Sequence, residues 1–124
     1  MRIFLADADR DERLALQFLL DHEPGMEIVG IAIRSEGLAA QVRASRPDVL
    51  LLDSDLATQP AADCLLALHS LDPQLKIVVL HVRPEARQAV ENAGADVFIS
   101  KDMPPDELLQ TLRKFRKEEL ENLH

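Results

Sequence analysis

A chain of 124 residues is the size of one domain and too short for two of ordinary size. Apolar residues make up 47%, enough for a proper core and against disorder, whereas aromatics are only 3%, so that core must be built from Leu, Val, Ile and Ala. With 14 basic and 22 acidic residues the formal charge is −8, which argues against direct nucleic-acid binding by this segment and against docking on an anionic membrane.

The first apolar run, Ile3–Ala6, is short and reads as a strand. A helical pattern follows from about Asp9 to His22, with Leu14, Phe18 and Leu19 on one face, ending at Pro24-Gly25. A second run, Ile28–Ile33, precedes a helix expected from Ser35 to Ser45, with Ser35 as N-cap, Leu38 and Val42 facing inward, and Pro47 as the stop. The run Val49–Leu52 precedes a helix from about Ala61 to Leu71, with Cys64, Leu65 and Leu68 inward. After Ile77–Leu80 comes a helix from about Pro84 to Asn92, opened by proline and closed at Gly94. The last run, Val97–Ile99, leads into a helix starting near Pro105, with Leu108, Leu112 and Phe115 in register.

The runs are short, β-branched-rich and apolar on both faces, the pattern of buried parallel strands. Five such βα units predict an α/β fold: a doubly wound, five-stranded parallel sheet, (βα)5 and flavodoxin-like, with strand order 2-1-3-4-5. The domain is expected over residues 1–115. Residues 116–124, with Arg116, Lys117, Glu118, Glu119 and Glu121 around Leu120 and Leu123, then form a solvated extension of the last helix, or the start of a linker or dimerising helix.

In this strand order the crevice opens at the carboxyl ends of the first and third strands. Asp7 and Asp53 end those strands, His81 ends the fourth, and Ser100-Lys101 end the fifth, with Asp9 and Asp55 in adjoining loops. Paired carboxylates suit a hard divalent cation. A nearby lysine can neutralise a phosphoryl group, and an aspartate so placed can be the nucleophile that forms an acyl phosphate. Each residue alone is also what a solvated strand end looks like; their convergence is what points to chemistry.

These residues resemble receiver domains of two-component response regulators, over the chain up to about Phe115. The similarity is carried by Ile3-Phe4-Leu5-Ala6-Asp7, by Arg46-Pro47-Asp48-Val49-Leu50-Leu51-Leu52-Asp53, and by Ala93-Gly94-Ala95-Asp96-Val97-Phe98-Ile99-Ser100-Lys101-Asp102. The stretch Lys101-Asp102 followed by Pro105-Asp106-Glu107-Leu108-Leu109 looks most like receivers joined to helix-turn-helix transcription domains. The resemblance implies that Asp53 accepts a phosphoryl group from a histidine kinase or phosphotransfer protein and that Lys101 neutralises it. It implies Mg²⁺ held by Asp7, Asp53 and the backbone carbonyl of Asp55, and a switch aromatic at Phe98. The expected partners are that kinase, and an output domain or a second copy of the chain.

The sequence also departs from the family. Ala8 stands where a second acidic residue ligates the metal, so Mg²⁺ binding is expected to be weak unless Asp9 or the Asp55 side chain substitutes. His81 replaces a small hydroxyl residue, and can bond a phosphoryl oxygen, pair with Asp53, join a transition-metal site, or merely end a strand. Leu56-Ala57-Thr58-Gln59-Pro60-Ala61 replaces a Met-Pro-Gly-x-x-Gly loop, and Phe98 lacks a hydroxyl. Two mechanisms follow: phosphorylation of Asp53 read out on the face of the fourth helix, fifth strand and fifth helix, or a phosphorylation-independent interaction module using that face. No enzymatic activity is expected beyond phosphoryl transfer onto Asp53. A flavodoxin-like ligand binder is a third reading, opposed by the carboxylates of Asp7-Ala8-Asp9-Arg10-Asp11-Glu12 where a phosphate-cradling loop should be.

Cys64 is the only cysteine and is expected to serve packing; it permits no intramolecular disulfide and suits a reducing compartment. The N-terminus lacks a secretory pattern, and no apolar stretch approaches the roughly 20 residues that span a bilayer. A cytoplasmic location is therefore expected.

Overall fold

The structure, a computed structural model, describes residues 1–54, 56, 67–70, 72–80, 87–92, 94–99 and 105–122. Its strands are β1 (Arg2–Ala6), β2 (Glu27–Ala32), β3 (Val49–Asp53), β4 (Lys76–Leu80) and β5 (Val97–Ile99). They form one parallel sheet in the order β2-β1-β3-β4-β5, as the alternation of apolar runs and amphipathic segments predicts. The described helices are α1 (Arg10–Asp21), α2 (Leu38–Ser45), α3 (residues 67–70), α4 (Arg87–Asn92) and α5 (Pro105–Glu121).

Side chains alternate across a strand, and the alternation divides the core in two. Ile3, Leu5, Val49, Leu51, Val78, Leu80 and Ile99 meet Leu20 of α1 and Leu108, Leu109 and Leu112 of α5. Phe4, Ala6, Leu50, Leu52, Ile77 and Val79 point the other way, against Leu38 and Val42 of α2, Leu68 of α3 and Val90 of α4. The central strand β3 is buried along its whole length, from Val49 to Asp53. Such a strand has no polar face to show, hence the unbroken Val-Leu-Leu-Leu.

Three details differ from the sequence reading. β2 lies at the sheet edge, and only its last residue, Ala32, is buried; the strand is not covered on both faces, and Ile31 and the adjacent Ile33 are exposed. Leu14 and Phe18 of α1 face solvent, Phe18 at 67% exposure, while Leu16 and Leu19 are half-buried and Leu20 is fully buried. Apolar residues occur on both sides of this helix, and the sheet takes the side of Leu16, Leu19 and Leu20. Ser35 is not the N-cap of α2: the cap is Gly37, left-handed at φ 74°, and Ser35 instead accepts the Leu38 N–H through its carbonyl at 3.1 Å. A positive φ is cheap only for glycine, which explains the later start. Separately, the helix from Pro105 runs without a break to Glu121, and its Arg116 donates to the Pro24 carbonyl at 3.2 Å.

The starts of the third and fourth predicted helices, together with Cys64 and Leu65, lie outside the described residues. Gly30 on β2 marks a close approach, because a Cβ there would sit 2.4 Å from the Phe4 ring. The sheet register shifts beside it, between Ile3 and Phe4. Among the described residues no helix is long and apolar enough to cross a membrane.

Candidate functional site

The sheet's strand order reverses between β1 and β3, and the carboxyl ends of those strands form the rim where α/β sheets bind ligands. Ala6, the last residue of β1, pairs with Leu52, so Asp7 just past β1 and Asp53 at the end of β3 follow side by side. Both are buried in spite of their charge: Asp7 is 0% and Asp53 5% exposed. They are the two buried charged residues among those described, in a core that is otherwise apolar.

A third carboxylate joins them. One oxygen from each of Asp7, Glu12 and Asp53 lies within 4.8 Å of the other two. Glu12 comes from the first turn of α1, and its placement follows from local chemistry. The Asp9 N–H donates to Asp7 Oδ1 at 2.9 Å, and Asp9 Oδ1 accepts the Glu12 N–H at 3.2 Å, which makes Asp9 the helix N-cap. Arg13 adds a bond from Nη1 to the Asp7 carbonyl at 3.0 Å. Asp9-x-x-Glu12 has the form of a capping box, in which the glutamate would reach back to the N-cap N–H. That N–H goes to Asp7, and the Glu12 carboxylate lies against the aspartates.

The electrostatics are unfavourable at Asp7. Burial raises the Asp7 carboxyl to about 6, opposed by the hydrogen bond from the Asp9 N–H and reinforced by the charge of Glu12. Asp7 Oδ1 has its donor, but Oδ2 is buried and accepts no hydrogen bond. A buried carboxylate oxygen without a donor is costly, and either a proton or a cation relieves it.

These donors fit a hard divalent cation. With Mg–O distances of about 2.0–2.1 Å, oxygens on adjacent vertices lie about 2.9 Å apart and those on opposite vertices about 4.2 Å, so three oxygens within 4.8 Å of one another come onto one ion by side-chain movements of up to about 2 Å. Asp7 and Asp53 would hold such an ion, Glu12 stands within reach of it, and the ion would offset the charge of the carboxylates.

Of the other residues singled out in the sequence, Phe98 sits on β5 opposite Val79, half-buried against the core face that includes Val79 and Val90. Ala8 is exposed and contributes no oxygen. Asp9 is exposed and engaged in capping, so it does not take the place of the absent second acid. Asp55, His81 and Lys101 lie outside the described residues, as do Ala57 to Ala61 of the altered loop. Glu12 was missed because an acidic residue in a first helical turn is ordinary chemistry. Its signal was the run Asp7, Asp9, Asp11, Glu12, in which the N3 position of α1 folds back over the strand end.

A parallel sheet of this order, wound on both faces and carrying acidic residues at its switch point, is a CheY-like member of the flavodoxin-like class. Residues 3–113 match the model of the response regulator receiver domain, and the chain belongs to that family, the receiver domains of two-component response regulators. It is 24% identical over 118 residues to the chemotaxis protein CheY of Thermotoga maritima, covering 94% of this chain and 98% of that protein. It is 31% identical over 116 residues to the nitrate/nitrite response regulator protein NarP of Escherichia coli, covering 90% of this chain and 53% of NarP. The chain thus spans about half the length of NarP, and the same holds for the DNA-binding transcriptional activator DevR/DosR of Mycobacterium tuberculosis, 30% identical over 91% of this chain and 53% of that protein. Among solved structures, a CheY-like receiver domain protein of Methanospirillum hungatei superposes with a TM-score of 0.83 at 27% identity, over 97% of both chains.

Proposed function

We propose that the protein accepts a phosphoryl group on Asp53 from a phosphohistidine of a histidine kinase or phosphotransfer protein, and relays the change through the face of α4, β5 and α5. The observation that carries this reading is the gathering of Asp7 and Asp53, with Glu12, at the sheet's switch point, where carboxylates buried beside an apolar core are costly and mark a site of chemistry. A carboxylate oxygen of Asp53 attacks phosphorus; the O–P bond forms as the N–P bond breaks, and the departing imidazole keeps the bonding pair and takes up a proton.

A bound Mg²⁺ supplies charge neutralisation for the incoming phosphoryl oxygens. Asp7 and Asp53 are its side-chain ligands in this proposal, joined by the Asp55 carbonyl. In this proposal Lys101, which follows β5 in the chain, neutralises the phosphoryl group, His81 fills the family's switch position by sequence, and Phe98 is the aromatic that responds by rotating. Residues 1–115 are the receiver proper in this proposal, and 116–124 extend its last helix towards an output domain. Relatives such as NarP and DevR/DosR, about twice as long and named as regulators, support an output in transcription.

Incubation with Mg²⁺ and a small phosphodonor, followed by intact-mass measurement, tests the proposal. A phosphoryl adduct is expected on the native protein and is expected to vanish in Asp53→Asn. An unchanged mass under conditions that modify an ordinary receiver sinks it, and leaves the phosphorylation-independent module in its place.

A further inference from the structure

We propose that Glu12 supplies the metal ligand that Ala8 cannot, so that the divalent-cation site of this receiver is formed by Asp7, Glu12 and Asp53. The inference rests on the reading of the rim as a cation site and concerns which residues build it. Three independent facts lead there.

First, Ala8 removes one carboxylate from the β1 end, and Asp9, the nearest acid in the chain, is exposed and spent on capping α1. Second, Glu12 places a carboxylate oxygen within 4.8 Å of those of both Asp7 and Asp53, although it belongs to a helix rather than to either strand. Its usual role in a capping box is not open to it, because the Asp9 N–H donates to Asp7 Oδ1. Third, Asp7 is completely buried, and its Oδ2 accepts no hydrogen bond. That orphan oxygen calls for a positive partner, and a divalent ion among the three carboxylates is the partner of matching charge and reach.

The chemistry identifies the ligand class as a hard divalent cation, Mg²⁺ or Mn²⁺. Among the described residues the gathered donors are all carboxylate oxygens, with neither thiolate nor imidazole. The substitution therefore moves the second acid from the loop after β1 to the first turn of α1, four positions further along the chain. Ala8 then marks a rearranged site rather than a disarmed one.

Binding of Mn²⁺ to the full chain, followed by electron paramagnetic resonance and by calorimetry, tests the assignment without any phosphodonor. Glu12→Gln keeps the side chain's shape and removes its charge, and is expected to weaken Mn²⁺ binding about tenfold or more, as loss of one of three charged ligands should. Adding Ala8→Asp to Glu12→Gln is expected to restore binding, because it returns the acid to the loop position. Thermal melts in EDTA establish that each variant folds. Should Glu12→Gln bind Mn²⁺ as tightly as the native protein while Asp53→Asn loses it, the Glu12 assignment falls and the cation site stands on the aspartates. Should the native protein bind no Mn²⁺ at millimolar concentration, the Glu12 assignment falls together with the cation site.

Discussion

The carboxyl of Asp7 is buried with one oxygen lacking a donor, and burial holds its pKa near 6 against an ordinary 3.8. The folded-state value lies above the unfolded one, so the folded state binds the extra proton. Below about pH 4 the group is neutral in both states and costs nothing. Between about pH 4 and 6 the unfolded state ionises while the folded state keeps its proton, and a penalty of between about 1 and 3 kcal/mol accrues, complete once the pH passes the folded value. In EDTA, Asp7→Asn is therefore expected to be more stable than the native chain at pH 7, by about that amount, and nearly equal to it at about pH 4. Urea denaturation at both pH values checks this, and a variant less stable at pH 7 contradicts it. Asp7 and Asp53 were legible in the sequence because each ends an apolar run. Glu12 was not, because its role depends on which way the first turn of α1 lies over the sheet, and on Asp9 using its N–H elsewhere.

Helix α1 shows at the level of the element what periodicity does and does not decide. Apolar residues at 14, 16, 18, 19 and 20 surround much of the helix, so the pattern established a helix without choosing its buried side. Packing against β1 and α5 selects Leu20, at 0% exposure, and leaves Phe18 stacked on His22 with ring centroids 4.2 Å apart. Leu20→Ala is expected to cost about 2–5 kcal/mol, as a cavity in a packed core does, whereas Phe18→Ala should cost less than about 1 kcal/mol. Chemical denaturation of the two variants measures the difference, and equal losses would place α1 in a different rotation. The Ser35 cap failed for a related reason. A serine before an apolar turn is a good cap only if the helix starts there, and the left-handed Gly37 starts it two residues later.

For the molecule as a whole, strand order and layer structure were readable because five short apolar runs separated by helix-length segments admit few right-handed, unknotted arrangements. Edge burial was less readable: β2 resembles the central strands in composition, and only its place in the sheet leaves Ile31 at 40% exposure. A ligand that binds only the folded chain stabilises the whole cooperative unit. With a dissociation constant of about 1 mM, 10 mM Mg²⁺ adds about 1.4 kcal/mol and should raise Tm by about 4–6 °C. Scanning calorimetry with Mg²⁺ against EDTA checks the shift, which Asp53→Asn should abolish. The twin bonds made by Asp9, from its N–H to Asp7 and to its carboxylate from Glu12, brace the turn between β1 and α1 before any ion arrives. Little backbone freedom remains to be lost on loading, so the thermodynamic signature should be that of water leaving a tightly hydrated ion: small or unfavourable heat, and a gain of solvent entropy that carries the affinity.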